Sequence, residues 1–162
     1  MVSTVSLSDG RVLGVRVLGP GDGEVVQAFV RSLSRRSRTQ RFFSPIAELS
    51  PRQLERALNC EGLHIAAIDG SGAIVALAQY ALEGDGEAEF GVVVGDAWQG
   101  QGIGAQLLQT LLDEARRSGL ARLGGVTQAD NDPMRLLARR LGFQLRPDPD
   151  PRLVRMERAL AA

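Results

Sequence analysis

Hydrophobic patterning predicts that the chain begins with a strand followed by a helix. Residues 11–18 favour a strand because branched apolar side chains dominate them. Its expected apolar positions are Val12, Val15 and Val17. A Gly-Pro-Gly-Asp break follows, and apolar residues then recur at helical spacing from residue 25 to residue 33. Asp22 is the expected N-cap of this first helix.

A serine–proline pair predicts the start of a second helix. Ser50 is the expected N-cap, Pro51 suits the first helical position, and Gln53 completes a capping box. Short turns rich in Gly and Asp then separate three strands, which cover residues 63–68, 73–82 and 87–94. Such turns join antiparallel neighbours, so we expect these strands to form a meander.

The second half of the chain alternates helices and strands. An apolar stripe of helical period begins at Ile103, and Gly119 suits the left-handed cap that ends such a helix. The remaining elements are a strand at 122–127, a helix at 130–141, and strands at 143–146 and 153–158. This order predicts an α/β (α+β, mixed-sheet) fold in a single domain over residues 1–162, with helices on both faces of the sheet.

Composition argues against several classes of function. The 19 basic residues, all of them Arg, balance the 19 acidic ones, so we expect no nucleic-acid or membrane partner. One Cys and one His leave no ligand set for a metal and no intramolecular disulfide. No signal peptide and no apolar run of about 20 residues is found, and the expected location is cytoplasmic.

The segment from Val92 to Gly104 carries most of the chemical information. It joins an apolar strand to an amphipathic helix through Gln-Gly-Gln-Gly-Ile-Gly at residues 99–104. Unpaired N–H groups at such a helix start bind anions, and glycine lets a pyrophosphate approach the backbone. A P-loop fits poorly because it needs a Lys and the chain has none. A dinucleotide-binding fold also fits poorly, because its glycine turn follows the first strand of a βαβ series and this turn follows a meander. Alternatively, the glycines only connect strand to helix.

Two motifs here resemble the GNAT superfamily of N-acetyltransferases. Residues 99–104 match its Gln/Arg-x-x-Gly-x-Gly/Ala signature between a strand and a helix. Downstream, Asn131, Met134 and the Leu-Gly-Phe at 141–143 resemble its second motif, and the element order agrees over residues 11–158. The resemblance implies the GNAT acyl-CoA N-acyltransferase fold, whose central, mostly antiparallel sheet is splayed at the fourth strand.

The resemblance also implies acetyl-CoA as co-substrate. The backbone of the splayed strand would bind the pantetheine arm, and the amides of the glycine-rich turn would bind the pyrophosphate. The cofactor-binding residues expected on this basis are Val92, Val93, Val94, Gln99, Gly100, Gln101, Gly102, Ile103, Gly104, Ala105 and Asn131. An alternative for Asn131 is a role as helix cap alone.

Transfer to an amine needs a general base, because a lysine amine is almost wholly protonated at neutral pH. Glu89 is the expected catalytic residue, since it lies on the strand that enters the splay. Alternatively, Glu89 has no catalytic role and is either solvated or paired with a nearby Arg. Lesser candidates for the base are Glu87, Glu83 and Asp85.

The chain departs from the family pattern at the usual general acid. Many GNAT enzymes carry a Tyr seven residues after the Asn of the second motif, and here that position is Ala138. The only tyrosine, Tyr80, is expected to pack in the core. The thiolate would therefore leave without a side-chain acid, or the chemistry would be impaired.

A local resemblance concerns the acceptor. Arg38, Arg41, Phe42-Phe43 and Pro45, followed by Glu-Leu-Ser, are similar to the N-terminal part of bacterial Pat-type protein lysine acetyltransferases. This implies substrate-binding roles for Arg38, Arg41 and Phe42. Arg38 and Arg41 would order the part of the site that binds the acceptor amine. Arg31, Arg35 and Arg36 fit a solvated face equally well.

The expected function is direct transfer of an acetyl group from acetyl-CoA to a primary amine in a ternary complex, with a protein lysine as acceptor. The alternatives are a small-molecule amine acetyltransferase and a non-catalytic acyl-CoA-binding sensor. No metal is expected. The edges of the terminal strands make a homodimer plausible by analogy with the family.

Overall fold

The computed structural model describes residues 4–160, and its elements follow the predicted order with two additions. The strands are β1 (Thr4–Ser6), β2 (Val12–Val17), β3 (Gly62–Ile68), β4 (Ile74–Gly84), β5 (Glu87–Val94), β6 (Arg122–Gln128), β7 (Gln144–Pro147) and β8 (Leu153–Ala159). The helices are α1 (Gly23–Ser32), α2 (Arg35–Phe42), α3 (Pro51–Asn59), α4 (Ile103–Arg117) and α5 (Asp132–Arg140).

All eight strands belong to one sheet, in the order β1-β2-β3-β4-β5-β6-β8-β7. The strand pairs are antiparallel except β5–β6, which is parallel. Helices α1 and α3 pack in one apolar cluster, and α4 and α5 pack in a second. The predicted mixed sheet with helices on both faces is therefore confirmed.

The two added elements are β1 and α2. Strand β1 has three residues and is defined by its pairing with β2, and so it leaves little periodic signal. Helix α2 is rich in Arg and has no apolar stripe, because it docks by polar contacts rather than by an apolar face. Val12 and Val17 are two of the three apolar positions expected in β2, and neither belongs to the core. Both side chains are at least half exposed, and Leu13 is the buried residue of that strand.

Local capping chemistry explains where several helices begin and end. The Ser50 hydroxyl accepts from the Gln53 N–H at 3.2 Å, and the Gln53 side chain accepts from the Ser50 N–H at 2.8 Å. The predicted capping box is therefore confirmed. Asp22 stands at the N-cap of α1, but its carboxylate accepts from the Gly19 N–H and from Arg16 instead of capping the helix.

The long helix α4 supplies much of the larger apolar cluster. Its predicted stripe is fully buried at Leu107, Leu108, Leu111 and Leu112. Beyond its last residue, Gly119 adopts φ +76°, as expected for a left-handed cap. Within residues 4–160, no helix combines the length and apolar character needed to cross a membrane.

Candidate functional site

Strands β5 and β6 separate along their length. They pair only over their first three residues, ending at Glu89 and Gly124. Strand β5 then keeps β4 as its partner as far as Val94, while β6 keeps β8 as far as Gln128. Residues 90–94 therefore expose one backbone edge that no strand of the described chain covers. The splayed strand is the fifth along the chain rather than the fourth, because β1 precedes the strands predicted from sequence.

A groove of about 510 Å³ opens at this splay. The predicted cofactor-binding residues that line it are Val92, Val93, Val94, Gln99, Gly100, Gly102, Ile103, Gly104, Ala105 and Asn131. Gln101 is outside this lining, and its side-chain oxygen accepts from Arg11 at 3.5 Å. The structure adds Trp98, Met134 and Arg140 to the lining. The sequence signal for Met134 is its position one helical turn after Asn131.

The glycine-rich turn leaves the start of α4 open toward the groove. Gly100 and Gly102 adopt φ +76° and +84°, which residues with a side chain rarely do. Gly102 is the N-cap of α4, and no side chain caps that helix. The N–H groups of its first turn are therefore uncapped, and the helix dipole makes this position favourable for an anion.

The side chain of Gln99 joins the turn to two other elements. It donates to the Val94 carbonyl at 3.0 Å and to the Ser37 hydroxyl at 3.3 Å. Nearby, the Asp96 carboxylate accepts from the N–H and the hydroxyl of Ser34 and from the Ser37 hydroxyl, at 2.7–3.0 Å. These bonds attach the start of α2 to the turn and so position α2 beside the groove.

Asn131 caps helix α5. Its side-chain oxygen accepts from the Met134 N–H at 3.3 Å. Because Asn131 also lines the groove, its side-chain NH₂ group remains available there. The capping role considered as an alternative is thus present, and it leaves room for a role toward a ligand.

Glu89 lies in the groove and is the last residue of β5 that pairs with β6. Its side chain retains accessible surface, yet burial of the carboxyl in the groove is the largest cause that raises its pKa. The charge and hydrogen bond of Glu83 raise the pKa of Glu89 further, whereas the charges of Arg155 and Arg41 oppose the rise. A carboxyl with a raised pKa in a cleft is suited to accept a proton near neutral pH.

Arg41 lies directly over the backbone of Gly91, two residues beyond Glu89. A Cβ atom on Gly91 would come within 2.5 Å of the Arg41 guanidinium. Burial lowers the pKa of Arg41, and the charge of Glu89 opposes that shift. The guanidinium lines the groove and stacks on Phe42, with 5.2 Å from its Cζ to the ring centroid. A side chain at position 91 would therefore force this guanidinium to move.

The other predicted acceptor residues lie elsewhere. Arg38 is outside the described lining of the groove, and it donates to the main-chain carbonyls of Arg31 and Leu33 at the end of α1. Phe42 packs against the α1–α3 cluster. Its neighbour Phe43, by contrast, is 46% exposed, lines the groove and has φ +57°.

The structure offers no tyrosine in the described lining of the groove to replace the family's general acid. Ala138 is fully buried, and Tyr80 lies in the larger apolar cluster as expected. His64 is buried and contacts Gln79 and the main-chain carbonyl of Cys60, which indicates a structural role.

Comparison with known families agrees with this geometry. The model of the Acetyltransferase (GNAT) family matches residues 26–143, from α1 through the Leu-Gly-Phe sequence. The chain belongs to the GNAT family. It is therefore an acyltransferase, and its splayed sheet is the GNAT acyl-CoA N-acyltransferase fold.

Individual GNAT proteins are similar over different shares of the chain. An acetyltransferase of Pseudomonas aeruginosa is 35% identical over 90% of this chain and 82% of its own length. An L-methionine sulfoximine/L-methionine sulfone acetyltransferase of Pseudomonas paraeruginosa is 36% identical over 50% of each chain. Among solved structures, the GNAT domain of S. lividans PAT superposes with a TM-score of 0.90, at 28% identity, over 97% of this chain and 96% of that domain.

Proposed function

We propose that the protein transfers an acetyl group from acetyl-CoA to a primary amine. The observation that carries this proposal is the coincidence, in one groove, of an uncovered strand edge and an uncapped helix start. A strand edge can bind an amide-containing arm and a helix start can bind phosphate, and CoA contains both groups. Membership in the GNAT family supports the same donor.

The chain's backbone would hold the donor. The amides of residues 99–105 would bind the pyrophosphate, and Asn131 would contact the pyrophosphate or the pantetheine end. The edge of β5 at Val92 and Val94 would bind the pantetheine arm. The Val94 carbonyl accepts one bond from Gln99, and a carbonyl oxygen has a second lone pair for a ligand.

Glu89 would act as general base. It would take a proton from the ammonium form of the acceptor, directly or through water, so that the neutral nitrogen can attack the thioester carbonyl carbon. The nitrogen–carbon bond forms, the carbon–sulfur bond breaks with its electron pair leaving on sulfur, and the nitrogen loses its second proton to water. Main-chain N–H groups near Val92 and Val93 would polarise the carbonyl oxygen.

The departing sulfur would be protonated by water. No tyrosine lies in the described lining of the groove, which supports this route. Thiols ionise with a pKa of about 8.5, so a thiolate is a good leaving group without a strong acid beside it. The proton that Glu89 accepts then returns to solvent, and the protein ends the cycle unchanged.

A protein lysine is the acceptor that we propose first. Its support is the similarity to the GNAT domain of S. lividans PAT, together with the resemblance of Arg38–Pro45 to Pat-type protein lysine acetyltransferases. The second candidate is a small amine. The similarity of half the chain to a methionine sulfoximine acetyltransferase supports that alternative.

Mass spectrometry of two acceptor pools tests the proposal. One pool holds lysine peptides and folded proteins, and the other holds small amines, each incubated with acetyl-CoA and the protein. We expect acetylated lysines in the first pool. Transfer only in the second pool would indicate the small-amine function, while CoA binding with transfer in neither pool would indicate a sensor.

A Glu89→Gln variant tests the base. We expect a loss of about 10²–10⁴-fold in kcat, because glutamine cannot take the proton, while acetyl-CoA binding persists. Glu87→Gln is the matched control, since Glu87 is exposed and pairs with Arg122 outside the groove. Equal rates for the Glu89→Gln variant and the parent would show that another group is the base.

A further inference from the structure

A second cavity adjoins the groove and shares Arg41 with it. Its volume is about 260 Å³, and it is enclosed by α2, α3 and the sheet face that carries Gln79 and Gly91. Helix α3 contributes Gln53 and Arg56 to its walls. Arg41 lines both this cavity and the groove, so the two spaces meet at its guanidinium.

The lining of this cavity is cationic and amphipathic. It presents two guanidinium groups and two amide side chains, and no Asp or Glu is among its described lining residues. Its apolar walls come from Phe42, Leu49 and Val93. A cationic tail, such as that of a polyamine, would meet repulsion here. An anionic group on a short apolar carrier would find both attraction and apolar contact.

The guanidinium of Arg41 has no hydrogen-bond acceptor within the described chain. It is held by contact with Gly91 and by stacking on Phe42, and it does not form an ion pair with Glu89. Its nitrogens are not among the fully buried, unpaired atoms of the described chain, so they remain open to a ligand, and a guanidinium binds carboxylate through two parallel bonds. Arg38, on the same helix, is used differently, because its guanidinium donates to main-chain carbonyls.

Gly91, which Arg41 contacts, lies close to the proposed base, Glu89. Across β4 and β5, Gln79 pairs with Gly91 and Ala81 pairs with Glu89. Gly91 and Glu89 therefore face the same side of β5, about 7 Å apart along the strand. An acceptor whose amine reaches Glu89 would place a group a few bonds away beside Arg41.

We propose that this cavity is the acceptor's carboxylate subsite, with Arg41 as its anchor and Arg56 at its mouth. The acceptor would then be an amine with a carboxylate that can reach Arg41 when the nitrogen lies at Glu89. This inference rests on the proposed function. Two sources supply that chemistry: a free amino acid, or a lysine with an acidic neighbour in a protein.

Matched acceptors that differ only in the carboxylate test the subsite. One arm compares 6-aminohexanoate with 6-aminohexanamide and free lysine with lysinamide. The other arm compares a lysine peptide that has an adjacent Glu with the same peptide carrying Gln. We expect kcat/KM to favour the carboxylate member about 10- to 100-fold, as for a charged hydrogen-bonded pair, in the arm that contains the true source.

Variants assign that preference to the cavity. Arg56→Gln should reduce it by raising KM for the carboxylate acceptor only, and Arg41→Gln should abolish it. Gly91→Ala should also abolish it, because its methyl group would displace the guanidinium without removing the charge. Arg52→Gln is the control, since Arg52 is exposed on the same helix α3 and is not among the lining residues.

The outcomes separate this inference from the proposed function. Acetylation with equal kcat/KM for both members of every pair would overturn the subsite and leave the transferase intact. A preference that survives Arg56→Gln, Arg41→Gln and Gly91→Ala would also overturn it. Absence of transfer to every amine, with acetyl-CoA bound, would overturn the proposed function and the subsite with it. If Arg41→Gln does not fold, Arg56→Gln still tests whether the carboxylate preference depends on the cavity.

Discussion

At the scale of single residues, Glu89 combines two features that its position in the sequence suggests only in part. Its place on the strand entering the splay follows from the glycine motif downstream. The direction of its pKa shift depends first on burial of the carboxyl in the groove and then on Glu83, Arg155 and Arg41, which come from three other segments. The first feature was predictable because it is a matter of spacing, whereas the second depends on which side chains the fold brings together.

The pH dependence of transfer should report these neighbours. Glu89 acts when deprotonated, so kcat/KM should fall as pH decreases through its pKa. Glu83→Gln removes a charge that raises this pKa, and the acidic limb of the pH profile should move to lower pH. Arg155→Gln should move it to higher pH. Steady-state profiles measure both shifts, and an unmoved limb in both variants would contradict the assignment of Glu89.

Phe43 holds a left-handed backbone conformation that disfavours an aromatic residue. Its φ of +57° at the end of α2 is a position where glycine is preferred. We expect Phe43→Gly to keep or raise the free energy of unfolding by up to about 1 kcal/mol while lowering kcat/KM, because the ring lines the groove. Chemical denaturation and kinetics measure the two effects.

Phe42→Ala is the matched comparison. Phe42 is half-buried against the α1–α3 cluster, and its truncation should cost about 2 kcal/mol. A Phe43→Gly variant that is destabilised as strongly as Phe42→Ala would show that Phe43 has a packing role instead.

At the scale of elements, α2 is the part of the site that the sequence left without a predicted secondary structure. The helix carries Arg41 on its groove side and Arg38 toward α1. Its attachment depends on Asp96, a residue more than fifty positions away, which binds Ser34 and Ser37. Periodicity cannot reveal an element that is held by polar contacts of this kind.

An Asp96→Ala variant should loosen α2. Loss of its hydrogen bonds should lower the free energy of unfolding by about 1–2 kcal/mol, after allowance for solvent exposure, and should also reduce transfer. Burial raises the pKa of Asp96, but bonds from Ser34 and Ser37 outweigh burial and hold it below the ordinary value of 3.8. The contribution is therefore present above about pH 4 and is lost as pH falls through the lowered pKa.

Urea unfolding at several pH values checks this expectation. The stability difference between the parent and Asp96→Ala should be full at pH 6 and should shrink below pH 4. Glu55→Ala is the acidic control, because Glu55 is exposed on α3. A difference that does not change with pH would argue against a stabilising role for the Asp96 charge.

At the scale of the whole molecule, the groove joins elements from both halves of the chain, and a ligand there should stabilise the fold. Acetyl-CoA at 100 times its Kd should add about 2.7 kcal/mol, which raises Tm by about 5–11 °C for a chain of this size. Thermal melts with and without acetyl-CoA measure the shift. Sulfate at equal concentration controls for unspecific anion binding, and an equal shift with sulfate would contradict a CoA site.

The sheet ends at β1 on one side and β7 on the other. The homodimer considered from the sequence would use such edges, and it stays a prediction that light scattering can test. Both strands are short, and β7 ends at Pro147, which cannot donate to a neighbouring strand.

The sequence by itself determined the features whose chemistry is local. The capping box at Ser50, the glycine turn into α4, the strand that precedes it and the absence of a tyrosine at Ala138 all depend on residues close together in the chain. The family follows from the same segments. Short-range preferences of the backbone are sufficient for these features because each is satisfied within one or two turns of chain.

Only the tertiary structure decided which arginine faces the groove. Arg38 and Arg41 are three residues apart and chemically identical, yet one binds carbonyls of α1 and the other lies on Gly91 between two cavities. Docking of α2, the divergence of β5 from β6 and the exposure of Phe43 likewise depend on contacts between distant segments. Such contacts decide burial and charge environment, and therefore the chemistry of the site.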